Sequence, residues 1–258
     1  MPVVFIRMTQ GNFLDKNNLF KFMSLENALK SLEGGYLWLA NPTEWTDPFE
    51  KRFVTATYID DAGNKKPFEW KDKLFCACFT QTLRSEAYWS VYSRKNIGIQ
   101  FTIDRKELLE ELNKYCTLNS NFKVYLGKVE YKNAKDIQMN LSDIPIDNKD
   151  KITSKDHLKA RLLLLKRNDF KYENEIRLIV VKKDSTKENG IKLPIDIHKV
   201  IQRITIDPSV GERTTKVLKS YFEGKLGFTP LDRSIGKFYR VTKSNLYKQN
   251  QSNVEIHI

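Results

Sequence analysis

The stretch Phe170-Lys-Tyr-Glu-Asn-Glu-Ile-Arg-Leu-Ile-Val-Val181 decides how the chain is read. It closes on four consecutive apolar β-formers, the pattern of a strand entering a core. Side chains alternate along a strand, so Glu173, Glu175 and Arg177 share one face and Asn174, Ile176 and Leu178 the other. Two residues of strand advance about 6.6 Å. Two carboxylates are therefore expected close together on a rigid element, with a guanidinium beside them. Two readings stand here. Either this is the solvated face of an edge strand, with Arg177 neutralising its neighbours, or it is the carboxylate-bearing strand of a site.

Around that strand lie 258 residues, 40% hydrophobic and 12% aromatic, enough for a sizeable core and unlike a disordered chain. No apolar run approaches the ~20 residues that span a bilayer, so no membrane partner is expected. Met1-Pro-Val-Val-Phe-Ile-Arg7 lacks a basic leader and reads as a short strand rather than a signal peptide. Cys76, Cys78 and Cys116 are odd in number, and His157, His198 and His257 are scattered. Neither pattern makes a disulfide framework or a zinc site, so a reduced, cytoplasmic protein without a structural metal is expected. The formal charge of +12 points to an anionic partner, with nucleic acid the leading class and a lysine-rich soluble protein the plainer reading.

Along the chain, residues 19–22 read as a strand, and Ser24 caps a helix from Leu25 to Leu32 that Gly34-Gly35 stops. Strands are expected over 36–40, 74–79, 96–103, 124–131, 191–195, 200–206 and 238–242. Helices are expected over 86–92, 105–115 (capped by Asp104), 154–167 and 213–226. Residues 41–50, 60–73 and 132–151 read as loops, and the polar tail 244–258 is expected to fray. The whole chain, 1–258, reads as a single α+β domain with mixed or antiparallel sheets.

Other segments carry paired readings. Asp47-Pro48-Phe49-Glu50 is either a turn or a loop that Phe49 anchors so that Asp47 reaches a site. Tyr88, Trp89 and Tyr92 form an aromatic face, core-like by default but able to stack a nicotinamide or a base if it lines a cleft. Lys21, opposite in direction to Phe20 and Phe22, is a surface lysine or a grip for a pyrophosphate, with Arg7 a weaker rival. Gly98 marks a bulge or a close backbone approach.

Taken together, these segments resemble a bacterial family of unknown function. The resemblance rests on Phe20-Lys21-Phe22, Asn41-Pro42, Thr46-Asp47-Pro48-Phe49-Glu50, Phe75-Cys76-Ala77-Cys78-Phe79, Trp89-Ser-Val-Tyr92, Gly98-Ile-Gln-Phe101, Lys166 and Phe170 to Arg177. It runs from about residue 19 to 210 in the family's order. Thr46 stands where the family has Asn, and Phe170 where it has Trp. More distantly, Glu175-Ile-Arg-Leu-Ile-Val180 is similar to the segment that carries the catalytic glutamate in DarT-like ADP-ribosyltransferase toxins.

That second resemblance implies an ADP-ribosyltransferase-like fold and an NAD-dependent toxin or effector modifying nucleic acid. Its setting would be anti-phage defence or a toxin–antitoxin system, with an antitoxin protein as a further partner. Glu175 would stabilise the oxocarbenium-like ribose, and Glu173 would orient or deprotonate the nucleophile. Lys21 would hold the cofactor's phosphates, Trp89 or Tyr92 would wall the nicotinamide pocket, and Asp47 and Arg177 would complete the NAD site. Two alternatives stay open. One is a non-enzymatic nucleic-acid-binding or regulatory module, in which Glu173, Glu175 and Arg177 form a structural ion network. The other is a metal-dependent nuclease built on Asp47, Glu50, Glu173, Glu175 and Lys182.

Overall fold

The computed structural model of the protein describes residues 4–6, 17–55, 57–59, 62–67, 71–93, 97–137, 156–184, 187–233, 236–238 and 240–248. The strands in chain order are β1 (Val4–Ile6), β2 (Asn18–Ser24), β3 (Tyr36–Ala40), β4 (Thr57–Ile59), β5 (Lys65–Pro67), β6 (Leu74–Thr80), β7 (Gly98–Asp104) and β8 (Phe122–Lys128). They continue with β9 (Glu130–Lys132), β10 (Leu165–Arg167), β11 (Glu175–Lys182), β12 (Gly190–Pro194), β13 (Ile201–Ile206), β14 (Leu231–Arg233), β15 (Gly236–Phe238) and β16 (Val241–Lys243). The helices are α1 (Leu25–Gly34), α2 (Pro48–Thr55), α3 (Glu86–Ser93), α4 (Arg105–Leu118), α5 (Asp156–Leu162), α6 (Ile197–Val200) and α7 (Glu212–Ser220).

Among the described residues a ten-stranded sheet runs β1-β8-β11-β6-β2-β7-β13-β16, with β3 joined to both β6 and β12. The outer pairs β1–β8 and β13–β16 are parallel and the pairs between them antiparallel, so this is an α+β fold on a mixed sheet. Strand β11 lies in its middle, hydrogen-bonded to β6 on one side and β8 on the other. The edge-strand reading of Glu173 to Arg177 is thereby corrected. Residues 175–181 are all buried, because both edges of β11 are paired and both faces covered. Ile176, Leu178 and Val180 enter the main core, while Ile179 and Val181 meet Ala160, Leu163 and Leu164 at the end of α5.

The sheet forks at β6. Phe20 of β2 pairs with Thr80, whereas Ala40 of β3 pairs with Cys76 on the same strand. At the fork Lys21 Nζ donates to the Cys78 carbonyl at 3.2 Å.

Local signals hold where caps or turns declare themselves. Ser24 caps α1 through the Asn27 N–H, and Gly35 ends it at φ 64°, a left-handed position open to glycine. Asp104 caps α4 through the N–H groups of Lys106 and Glu107. A Cβ on Gly98 would lie 2.4 Å from Ser93 Oγ and 3.2 Å from the Trp89 ring, so this glycine marks a close approach of α3 to β7.

Other expectations are corrected. Asp47 is a helix cap rather than a turn residue. Its carboxylate accepts from the Phe49 N–H at 2.9 Å, and Pro48 opens α2, so Glu50 sits in the helix's first turn. The helix expected over 154–167 ends at Leu162, and Leu165–Arg167 forms β10, parallel to β9. A short leucine run does not distinguish buried helix from buried strand. Strand 124–131 breaks at Val129, and 238–242 divides between β15 and β16. Part of 60–73 belongs to the β4–β5 hairpin. The Ser244 N–H is tied to Ile206 O at 2.8 Å, and Arg7 and 249–258 lie outside the described residues.

Candidate functional site

The site grows from the start of β11. Residues 168–173 form a 3-10 turn, and Asn174 takes a left-handed conformation, φ 43° and ψ 54°. Glu173 is therefore not on the strand, as the alternation had predicted. The left-handed residue breaks the strand alternation between the two glutamates, and both carboxylates still reach Lys166 Nζ. Thr80 Oγ1 and Tyr88 Oη donate to the Glu173 carbonyl at 2.6 and 2.8 Å, and the Gln81 N–H donates to Asn174 O at 3.2 Å. The Glu175 N–H donates to Tyr131 Oη at 2.8 Å. These bonds fix the turn and the strand start against β6, α3 and β9.

Glu175 is 3% exposed and Arg177 1%. Arg177 holds Glu175 through two bonds, Nε to Oε1 at 3.0 Å and Nη2 to Oε2 at 2.9 Å. It also donates to the Leu163 carbonyl and the Glu50 carboxylate, and its guanidinium lies 4.5 Å from the Trp45 ring centroid. Lys166, brought in by β10, places Nζ 2.6 Å from Glu173, 3.2 Å from Glu175 and 3.6 Å from Glu50. Asp47 stands slightly apart, paired with Arg167 at 3.3 Å.

The environment drives the two glutamates in opposite directions. Burial alone would raise the Glu175 carboxyl, but Arg177 and Lys166 outweigh it and hold it down at about 2. Burial prevails at Glu173, whose carboxyl is raised despite Lys166. Two carboxyls pushed apart in this way divide naturally into a permanent anion and a proton carrier.

Above this network lies a cavity of about 200 Å³. Phe20, Phe22, Trp45, Tyr88, Tyr92 and Tyr172 contribute aromatic lining, and Asp47, Glu50, Glu173, Glu175, Lys166 and Arg177 the charge. Phe22 stacks on Tyr88 with centroids 4.8 Å apart and planes 8° apart, and Tyr92 continues the stack at 6.5 Å and 18° from Phe22. Burial pushes the Tyr92 hydroxyl up to about 12 and the Tyr88 hydroxyl higher still, so both remain neutral donors at ordinary pH.

The expected site residues divide accordingly. Glu173, Glu175, Asp47, Arg177 and Tyr92 line the cavity. Lys21 does not. Its Nζ instead meets the Cys78 carbonyl, 5.3 Å from the ring centroid of the lining residue Phe79, and burial lowers its pKa against the raising influence of Cys78, Cys76 and Glu175. Trp89 is also displaced, lying buried and edge-on beneath Phe22 at 4.9 Å. Lys182 lies at the far end of β11, 3.6 Å from Glu188, away from the carboxylates with which a nuclease would use it. Among the described residues no metal-holding group of three or more His, Cys, Asp or Glu side chains is found.

Sequence reasoning missed Phe20 and Phe22 as cavity walls and Lys166 as the ammonium of the network, whereas Tyr88 was already in the aromatic face it offered as a cleft wall. The first two were available from alternation in β2, since the face opposite Lys21 carries both rings. Lys166 was hidden by its assignment to a helix.

A family profile described as a protein of unknown function (DUF2971) matches residues 88–178, from the aromatic helix into β11. The chain resembles that family over the segment that supplies Tyr88, Lys166, Glu173 and Glu175. No curated protein matches the chain. Two similar solved structures are of DarT from Thermus sp. 2.9. The one in complex with NAD+ is 10% identical, with 89% of this chain and 96% of that chain covered and a TM-score of 0.36. The one in complex with ADP-ribosylated ssDNA is 13% identical, with 95% and 98% covered and a TM-score of 0.36. No helix among the described residues is long and apolar enough to cross a membrane.

Proposed function

We propose that the cavity binds the positively charged nicotinamide ring of NAD+ and that the protein transfers ADP-ribose to a nucleic acid. The observation that carries this is an anionic, aromatic-walled cavity in a strongly cationic protein. Four carboxylates and two cations line it, a formal excess of two negative charges in a chain of net +12. Stacked rings with carboxylates beside them suit a flat cation, by cation–π attraction and by charge. The cavity is smaller than the roughly 300–1,000 Å³ of typical ligand sites. The ring and its ribose would occupy it, and the diphosphate would lie outside against the basic surface.

The chemistry follows from the two glutamates. Glu175 is a fixed anion on a central strand, suited to stabilising positive charge on the ribose as the C1′–N bond breaks. Nicotinamide leaves with that bond's electron pair as a neutral molecule. A nucleophile on the acceptor forms the new bond to C1′ and passes its proton to Glu173 as general base. The buried charges also favour a site over a merely structural network. Apolar residues of similar volume commonly stabilise a core as well as a buried ion cluster does. The protein would act as a toxin or effector, in anti-phage defence or restrained by an antitoxin.

The test is ring charge. NAD+ and NADH differ at the nicotinamide, cationic in one and neutral in the other. Calorimetric titration of the protein with each should show NAD+ binding at least tenfold more tightly. Equal affinities would remove the anionic cavity as the recognition element.

A further inference from the structure

The carboxylates beneath the cavity outnumber their cations. Glu50, Glu173 and Glu175 are contacted by Lys166 and Arg177, one cation fewer than the carboxylates, and Lys21 adds an attraction at Glu175 without contacting it. The contacts are unequal. Glu175 touches both cations, twice through Arg177, and Glu50 also touches both. Among the described residues, Glu173 touches a single cation, Lys166, at 2.6 Å. Arg177 is held by four hydrogen bonds to three partners, Glu175, Glu50 and the Leu163 carbonyl. Lys166 is carried by a different element, the short strand β10, so its position is set independently of β11.

We infer that Lys166 is a positioning residue that makes Glu173, and not Glu175 or Glu50, the proton-carrying carboxyl of the site. The surplus negative charge is most readily neutralised by a proton on the carboxylate with fewest cations, and Lys166 limits how firmly Glu173 holds it. Facing Glu173 are Lys166 from β10, Glu175 from β11 and Glu50 from α2, and Arg177 acts on Lys166. Tyr88 and Tyr92 from α3 and Tyr131 from β9 are neutral neighbours that burial keeps protonated. Without Lys166, Glu173 would face carboxylates with no cation of its own and would keep its proton to higher pH. Glu175 would keep its two-bond pairing with Arg177 and stay ionised. This inference rests on the transferase reading for its use in catalysis, but not for its proton chemistry.

The experiment is a titration of the glutamate carboxyl carbons by NMR in the folded protein, alongside the pH profile of NAD+ consumption. In the wild type one carboxyl should titrate above the ordinary glutamate range, and Glu173→Gln should abolish that titration. Lys166→Met should move it upward by at least about one pH unit, as expected for loss of a cation in contact. Lys166→Arg should restore it, and the acid limb of NAD+ consumption should move in parallel. A high titration surviving in Glu173→Gln would overturn the assignment even if Lys166→Met failed to fold. An unmoved titration in a folded Lys166→Met protein would overturn the role of Lys166. Absence of NAD+ consumption in the wild type would refute the transferase reading alone, because the NMR titration reads the proton without turnover.

Discussion

At the scale of the residue, Glu175 illustrates how burial alters the meaning of a substitution. As a carboxylate at a strand start it reads as dispensable to packing. In the fold it is the buried partner of a buried guanidinium, so Glu175→Ala leaves Arg177 with Glu50 as its one remaining close carboxylate. Breaking a pair of this kind costs about 3–5 kcal/mol, enough to confuse loss of activity with loss of fold. Glu175→Gln keeps the shape and some hydrogen bonds and is the cleaner probe. Its effect on stability should depend on pH. The Glu175 carboxyl is depressed from the ordinary 4.5 to about 2, so its stabilisation is complete above 4.5 and lost as pH falls toward 2. The stability gap between wild type and Glu175→Gln should be on the order of 3 kcal/mol at neutral pH, fall below half of that by about pH 3 and approach zero only at about pH 2 and below. Urea denaturation at neutral and at acid pH would measure it, and a gap independent of pH would contradict the ion-pair account. Lys21 shows the opposite error: its alternation was legible and pointed it away from Phe20 and Phe22, yet those rings, rather than the lysine, line the cavity.

At the scale of the element, β11 was legible because four apolar residues follow Arg177, and the caps of α1 and α4 because Ser24 and Asp104 stand where caps are needed. Strand order was not legible. That β11 is central depends on its pairing to β6 across about a hundred residues of chain and to β8 across about fifty, which no local pattern encodes. The left-handed Asn174 was equally hidden, since Asn is tolerated in strands, turns and the left-handed region alike. Its conformation places the Glu173 carbonyl against Thr80 and Tyr88 and the Glu173 carboxylate against Lys166. A β-branched residue resists that conformation. Asn174→Val should cost about 1–2 kcal/mol of stability and lower transfer activity, while Asn174→Gly should leave both near wild type. Thermal denaturation with activity assays would check this, and a fully active, equally stable Asn174→Val protein would refute the role given to the turn.

At the scale of the whole molecule, charge divides between surface and cleft. The sum of +12 was readable from composition, whereas the local anionic excess was not, because Asp47, Glu50, Glu173 and Glu175 come together from α2 and the β11 approach through folding. The basic exterior should bind nucleic acid chiefly through phosphates, with affinity falling on a log–log salt slope of roughly −0.7 to −0.9 per phosphate contacted. Binding of RNA or single-stranded DNA should therefore weaken by orders of magnitude between 50 and 200 mM salt, by about 10³–10⁵ if six to ten phosphates are contacted. Affinity insensitive to salt would show that the charge is not the docking surface. The decisive measurement is nicotinamide release from NAD+, followed chromatographically with and without nucleic acid, in the wild type and Glu175→Gln. The wild type should release nicotinamide and leave ADP-ribose on the nucleic acid, and folded Glu175→Gln should lose at least about a hundredfold, the scale of removing one electrostatic contributor to a transition state. No release by folded wild type, or equal release by Glu175→Gln, would contradict the transferase reading.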